Sequence, residues 1–145
     1  MQVVDYRAPY RADPYERPYF LTWGHVGSGV LGVAFLLAGS LVLARLFPES
    51  LSGTTSLLGL RHTAALGIVE LVLGIVFLSA ATAPWSARGT LVTMGIGTIV
   101  FGLVTTVEPA TFGDAGLAGT GAAIAFAGIA AVFIGWSDRP MSVRR

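Results

Sequence analysis

Four long stretches of this sequence are almost free of charge, and they constrain the fold more than any other feature. Positions 18–44, 89–107 and 115–137 contain no Asp, Glu, Lys or Arg, and Glu70 is the only charged residue at positions 62–87. Each stretch is about as long as the ~20 residues with which a helix crosses a bilayer. Charged residues make up 12% of the chain, whereas a soluble domain carries about 25%. The sequence therefore predicts an all-α, integral membrane four-helix bundle, with spans at about 21–46, 57–80, 89–107 and 115–136.

The segments outside the predicted spans are short and polar. Residues 1–20 form a predicted cytoplasmic tail rich in Tyr, Pro and Arg, and residues 137–145 form a basic cytoplasmic tail. The prolines forbid a continuous helix in the first tail. Its Arg and Tyr side chains suit a segment that lies on lipid headgroups, and a docking strap for a partner protein is the alternative. The first apolar stretch is longer than the ~7–15-residue core of a signal peptide, so we expect it to remain in the mature protein.

The placement of arginine predicts the orientation of the bundle. Seven arginines fall on the side that holds both termini and the loop between the second and third spans, and only Arg45 and Arg61 fall on the other side. Trp23, Trp85 and Trp136 are predicted at the same interface as the seven arginines, at the depth that amphipathic rings prefer. Because cytoplasmic loops are enriched in basic residues, we expect both termini in the cytoplasm and the protein in a bacterial plasma membrane.

The two halves of the chain look like copies of one helical hairpin. LGVAFLLAG (31–39) aligns with MGIGTIVFG (94–102), and GLRHT (59–63) aligns with GLAGT (116–120). The first pair of segments places glycines seven residues apart in both copies. We therefore expect two tandem hairpin repeats related by an axis along the membrane normal. This alignment puts Ala127 at the position equivalent to Glu70, so the carboxyl group is an addition to one half.

Small residues at regular spacing predict where the helices pack, because association in lipid depends on close approach and on interhelical hydrogen bonds. The last span has a small residue at every fourth position, which suits a right-handed crossing, and the second span has a glycine on either side of Glu70. Packing within the bundle and an interface with a partner or a second copy both fit this pattern. The candidate interface residues are Gly119, Ala123, Ala127, Ala131, Gly135, Gly67 and Gly74.

Glu70 is a carboxyl group predicted deep within a span. At about 100° per residue it shares a helix face with Gly67 and Gly74, so we expect it to point into the bundle. The candidate functional or structural residues of the spans are Glu70, Thr98 and His62. His62 is predicted about 12 Å from Glu70 along the helix axis, and no basic residue is predicted at the depth of Glu70. A carboxylate without a partner is costly there. We therefore expect Glu70 to be protonated and to donate one hydrogen bond, with Thr98 of the third span as a candidate partner by depth.

Three roles for Glu70 remain open on sequence grounds. They are a structural hydrogen bond, a contact to a polar group of a partner or second copy, and a site for proton or cation transport. The sequence has no Cys, no clustered metal ligands and no phosphate-binding loop, so we predict no enzyme and no catalytic, cofactor or metal-binding residues. His25 and His62 are predicted near opposite faces of the membrane, which argues against a shared haem.

The order of these features resembles a family of small four-span membrane proteins that is common in actinobacteria and known as a domain of unknown function. The segment LLGLRHTAALGIVELVLG (57–74) carries the resemblance. The second helix of that family opens with a Leu-Gly-Leu-like entry and contains a His-rich apolar stretch that ends in Gly. Glu70 stands where the family has its second His. The resemblance implies a similar bundle and supplies no function.

A second similarity concerns small multidrug exporters, which also have four spans and one buried Glu, in their case in the first helix among aromatic residues. Overall we expect a non-catalytic accessory or scaffold subunit in the lipid bilayer, either as a homo-oligomer or bound to a larger membrane complex. No nucleic-acid partner is expected. The alternative is a small oligomeric transporter or channel that uses Glu70 as its proton or cation site.

Overall fold

Four α-helices and one short β-hairpin form the computed structural model of this protein, which describes residues 22–47, 53–82 and 87–138. The helices are α1 (Trp23–Leu46), α2 (Ala64–Thr82), α3 (Arg88–Val107) and α4 (Ala118–Ser137). Strands β1 (Thr54–Leu57) and β2 (Leu60–Thr63) pair antiparallel between α1 and α2, and two 3-10 turns at Pro109–Phe112 and Ala115–Leu117 connect α3 to α4. All four helices are long and apolar enough to cross a membrane. The two predicted tails lie almost wholly outside the described residues.

The prediction of four apolar helices is confirmed, but the predicted start of the second helix is wrong. Helix α2 begins at Ala64, not at residue 57, because residues 54–63 form the β-hairpin. The strands reverse at Leu58 and Gly59, whose φ angles are 54° and 81°. Two consecutive positive φ values are typical of the turn that joins two-residue hairpins. Leucine rarely occupies such a turn, and the apolar leucines of this segment imitate the continuation of a helix.

Facing glycines close each half of the bundle, with α1 against α2 and α3 against α4. A Cβ atom added at Gly102 would lie 2.6 Å from the carbonyl oxygen of Gly121, and one added at Gly32 would lie 3.0 Å from that of Gly74. Any larger residue would therefore force the two backbones apart. The facing pairs are Gly32 with Gly74, Gly39 with Gly67, Gly95 with Gly128 and Gly102 with Gly121.

The glycine pairs follow the same arrangement in both halves, and they change one detail of the sequence-based interpretation. Within each helix the paired glycines are seven residues apart, a spacing that favours left-handed pairing, whereas the prediction of a right-handed crossing is based on the four-residue spacing in the last span. Gly67 faces Gly39 and Gly121 faces Gly102, so Gly67 and Gly121 are equivalent positions of the two halves. The residue equivalent to Glu70 is therefore Ile124, three positions after Gly121, and not Ala127.

Three glycines of α4 face α3, and of these only Gly135 belongs to the predicted ridge. Gly121, Gly128 and Gly135 face α3. Of the predicted ridge, Ala131 and Gly135 are buried and Ala127 is half-buried, whereas Gly119 and Ala123 are exposed. The outer end of that ridge therefore lies on the surface of the bundle, because a seven-residue spacing and a four-residue spacing diverge around the helix.

Aromatic and polar contacts also join α1 to α2 and to the end of α4. The rings of Phe35 and Phe77 stack between α1 and α2 with centroids 5.9 Å apart. The hydroxyl of Ser28 donates to the carbonyl of Phe77 at 2.5 Å. At the end of the bundle nearest the termini, the backbone N–H of Gly24 donates to Oδ1 of Asp138 at 2.8 Å and ties α1 to α4.

Candidate functional site

A buried contact joins Glu70 on α2 to His62 on β2. Glu70 Oε1 lies 3.2 Å from His62 Nε2, and the two side chains are only 4% and 5% exposed. The sequence-based prediction that His62 lies about 12 Å from Glu70 is therefore wrong, as is the prediction that no basic residue reaches its depth. The reason is that residues 60–63 form a strand, so helical spacing does not apply between the two side chains.

Two arginines hold the hairpin in the position that this contact requires. Arg45 at the end of α1 donates from Nη1 to a backbone carbonyl of β1 at 2.7 Å. Arg61 on β2 places Nε 3.2 Å from Oδ2 of Asp114, and its own carbonyl accepts a hydrogen bond from the Thr120 hydroxyl of α4. Both strands are thus tied to different helices, which fixes His62. From the sequence, both arginines are predicted only to lie on the side away from the termini, and their contacts with the hairpin and with Asp114 are not predicted.

The hydrogen bonds of His62 determine how many protons the pair holds. His62 Nδ1 lies 3.1 Å from the carbonyl oxygen of Leu60. Because a carbonyl only accepts, we assign a hydrogen to Nδ1. One further proton then lies in the contact with Glu70, either on Nε2 of an imidazolium facing a carboxylate or on a carboxylic acid facing a neutral imidazole. Both arrangements have zero net charge, which limits the cost of burying the pair.

The surroundings of His62 favour its protonated form. Burial by itself lowers the pKa of His62, but the hydrogen bond to Glu70, the charge of Glu70 and the Leu60 carbonyl together raise this pKa above its ordinary value of 6.5. The pair therefore keeps its proton to a higher pH than an isolated histidine does. Once the proton leaves, Nε2 and Oε1 face each other as two acceptors with no hydrogen between them.

The second carboxyl oxygen of Glu70, Oε2, is buried and has no hydrogen-bond partner of its own among the residues that the structure describes. In both proton arrangements the shared proton lies on the Oε1 side, so Oε2 is an acceptor. A buried acceptor without a donor costs about 1–3 kcal/mol.

A pocket between α1 and α4 meets the Glu70–His62 pair. Its volume is about 200 Å³, and Glu70, His62 and Thr120 are the polar residues in its lining. The remaining lining consists of small or aliphatic residues of the two helices and leucines of the hairpin, with one aromatic ring from Phe35. The pocket therefore combines an apolar body with a single polar end. We call it the seam pocket, after the seam between α1 and α4.

Thr98 is not the partner of Glu70. The Thr98 side chain on α3 is buried, but its hydroxyl donates to the carbonyl of Met94 in the same helix at 2.7 Å. A threonine in an apolar helix commonly satisfies its hydroxyl in this way. The structure thus replaces the predicted Thr98 contact with the one to His62.

The other predicted polar and aromatic residues lie at the ends of the helices. His25 takes part in the N-terminal cap of α1 with Thr22, at the end of the bundle opposite His62. Trp23 and Trp136 are 63% and 74% exposed and lie at the end where Gly24 meets Asp138. Trp85 falls outside the described residues. Their positions agree with one interfacial aromatic belt.

The described part of the chain contains no cluster of three or more His, Cys, Asp or Glu side chains that suits a metal ion. The described residues do provide the His62–Glu70 pair, the unpaired acceptor Oε2 of Glu70 and the apolar seam pocket. Comparisons with protein-family models, with curated proteins and with solved structures give no match. A function for this chain therefore has to be inferred from the seam pocket itself.

Proposed function

We propose that this chain is a small, non-catalytic protein of the bacterial plasma membrane, with four membrane-spanning helices and both termini in the cytoplasm. The excess of arginine on the side of the termini supports this orientation. The exposed rings of Trp23 and Trp136 at the same end of the bundle support it as well. At the opposite end, Arg45 and Arg61 are engaged in holding the hairpin.

Within the membrane the protein acts as an accessory subunit that binds a group brought by another component in the seam pocket. The observation that carries this proposal is the open acceptor Oε2 of Glu70. While the His62–Glu70 pair holds its shared proton it is neutral and needs no further counter-ion. A donor from outside the described residues is what the site still lacks.

The packing of the bundle supports the seam as the binding region. Glycine pairs close the α1–α2 and α3–α4 contacts along their length. Helices α1 and α4 instead approach each other near the termini, where Gly24 meets Asp138 and a Cβ atom at Gly27 would lie 2.7 Å from the Ile134 side chain. Toward the hairpin the two helices are separated by the seam pocket, so this is where the lipid-facing surface comes nearest to the buried pair.

Purification from native membranes tests the proposal. The unmodified protein is expected to retain a bound component, either a larger membrane protein, a second copy or a small molecule, identified by intact-complex mass. Glu70→Gln should retain it, because the amide NH2 donates to neutral His62 and the amide carbonyl takes the place of Oε2. Glu70→Met has no acceptor and should lose it.

Two leucine substitutions on α1 form a matched control. Ala34 is exposed and lines the seam pocket, whereas Ala44 is exposed and does not. Ala34→Leu should displace the component and Ala44→Leu should not. The same composition for all four variants and the unmodified protein would refute binding in the seam pocket.

Proton-coupled transport is a second candidate, favoured by the single proton that His62 and Glu70 hold beside the pocket. It makes a different prediction for Glu70→Gln, since an amide cannot exchange that proton. In liposomes with a pH-sensitive dye inside, a transporter should lose its proton flux in Glu70→Gln. An accessory subunit should show no flux before or after the change, while Glu70→Gln still retains the bound component.

A further inference from the structure

We infer that the seam pocket binds a lipid-soluble small molecule that has an apolar body and one O–H or N–H donor, which it gives to Oε2 of Glu70. This inference rests on the proposed function and names the class of group that fills the site. Its evidence is the hydrogen bonding of the pocket lining, the shape of the pocket and the way in which its walls are tied.

Among the polar side chains that line the pocket, every donor is already used in a hydrogen bond, and one acceptor has no partner among the described residues. His62 Nδ1 donates to Leu60, and the Nε2 contact holds the proton shared with Glu70. The Thr120 hydroxyl donates its hydrogen to the carbonyl of Arg61. Oε2 of Glu70 is left as an acceptor whichever atom carries the shared proton. An alcohol, amide or amine therefore matches the site, and a ketone or ester does not.

The rest of the lining requires an apolar ligand body. A volume of about 200 Å³ is large enough for several water molecules. Waters in most of this space would meet the methyl groups of Ala38 and Ala127 and lack polar partners. Hydrocarbon fills such a space without that cost.

The walls are tied so that a small molecule fits and a helix does not. At one end of the seam Gly24 is bonded to Asp138. At the other end the β-hairpin is bonded to α1 through Arg45 and to α4 through Thr120. A helix is about 10–12 Å wide with its side chains, and admitting one would break these ties. Ala34 and Ala123 of the lining are both exposed. The mouth of the pocket therefore opens on the outer surface of the bundle, where lipid is the solvent.

Binding of matched probes to the purified protein in lipid nanodiscs tests the inference. 1-Hexanol and 2-hexanone are similar in size, but only the alcohol donates a hydrogen bond. The readout is the shift of the His62 ring nitrogens during titration, with empty nanodiscs as the control for partitioning. We expect 1-hexanol to bind about threefold to tenfold more tightly than 2-hexanone, the effect of one hydrogen bond. n-Hexylamine should bind at least as tightly as the alcohol.

The variants separate this effect from general hydrophobic binding. Glu70→Gln should preserve the preference for the alcohol, and Glu70→Met should abolish it. Ala34→Leu should weaken both probes and Ala44→Leu neither. If Glu70→Met does not fold, the comparison of Ala34→Leu with Ala44→Leu still shows whether the probe contacts α1 at Ala34. A wild-type protein that binds the ketone as well as the alcohol, or a preference that survives in Glu70→Met, would overturn the inference.

The outcomes also separate this inference from the proposed function. If neither probe binds, but native purification still shows a component that Glu70→Met loses, the donor-bearing small molecule is refuted and the accessory role stands. If the probes bind as expected but purification shows no component that depends on Glu70, the ligand site stands and the accessory role is refuted.

Discussion

At the scale of single residues, one histidine makes a carboxyl group compatible with an apolar helix. His62 supplies a partner for Oε1 of Glu70 at 3.2 Å, and the Leu60 carbonyl fixes which ring nitrogen faces the carboxyl group. The pair as a whole is neutral, so burial does not isolate a charge. The remaining acceptor, Oε2, has no partner among the described residues, and it is the atom to which we assign binding.

The raised pKa of His62 predicts a stability that falls as the pH rises. In the unfolded chain His62 has its ordinary pKa of about 6.5, and in the folded protein its pKa is higher. The stability that the pair contributes is therefore fully present below pH ~6.5 and is lost as the pH rises through the folded-state pKa. Thermal unfolding in detergent, followed from acidic to alkaline pH, measures this loss.

Glu70→Met supplies the control for this pH profile, because it removes the carboxyl group that raises the pKa. In that variant the fall in the unfolding temperature above pH ~6.5 should disappear. A wild-type protein that becomes more stable over the same range, or equal profiles for the two proteins, would contradict a proton shared between His62 and Glu70.

At the scale of the helices and the hairpin, glycine placement determines packing more than hydrophobic pattern does. Gly97 and Gly102 lie on the same helix, but a Cβ atom at Gly97 meets nothing within 4 Å, whereas one at Gly102 comes within 2.6 Å of the Gly121 carbonyl. Gly102→Ala should therefore destabilise the bundle by about 1–3 kcal/mol through overpacking.

Gly97→Ala is the matched substitution on the open face of α3. It should stabilise the protein by roughly 0.5–1 kcal/mol, because alanine loses less backbone entropy than glycine in a helix. Unfolding by increasing fractions of a denaturing detergent compares the two variants. Equal effects of the two substitutions would show that the α3–α4 contact is looser than the facing glycines indicate.

The same elements show how much of the fold the sequence predicts. Uninterrupted apolar stretches identify all four helices, because a lipid-facing helix needs no alternation of polar and apolar residues. The hairpin was missed because Leu57, Leu58 and Leu60 are apolar and its turn lacks the Asn-Gly or Asp-Gly pair that marks such turns. The four residues Thr54, Thr55, His62 and Thr63 pair across the strands, and the β-branched threonines were the available signal for a strand.

The partner of Glu70 could not be predicted for a related reason. Its identity depends on the direction that the chain takes between β2 and α2, which a helical projection cannot represent. Glu70 itself was singled out correctly as buried and inward-facing, since it is 3% exposed. The position of His62 followed from tertiary contacts of Arg61 with Asp114 and Thr120, far apart in the sequence.

At the scale of the whole molecule, two pairs of helices, α1 with α2 and α3 with α4, are each closed by facing glycines. The two pairs meet at the looser seam between α1 and α4. The seam is fixed near the termini by Gly24 and Asp138, and at the other end by the hairpin. Between these ties lies the seam pocket, which is lined by the buried side chains of Glu70 and His62 and has an exposed rim. The glycine pairs that stabilise the fold are therefore separate from the seam pocket, to which we assign binding.

Nitrogen NMR of the histidine rings in lipid nanodiscs tests the central claim most directly. The sequence has two histidines, and His62→Gln assigns their signals. We predict a protonated Nδ1 on His62 and an Nε2 signal in the hydrogen-bonded range. In Glu70→Met that Nε2 signal should move to the range of an unprotonated nitrogen. An unprotonated Nδ1, or a His62 spectrum that Glu70→Met leaves unchanged, would contradict the pair on which both the binding site and its proton depend.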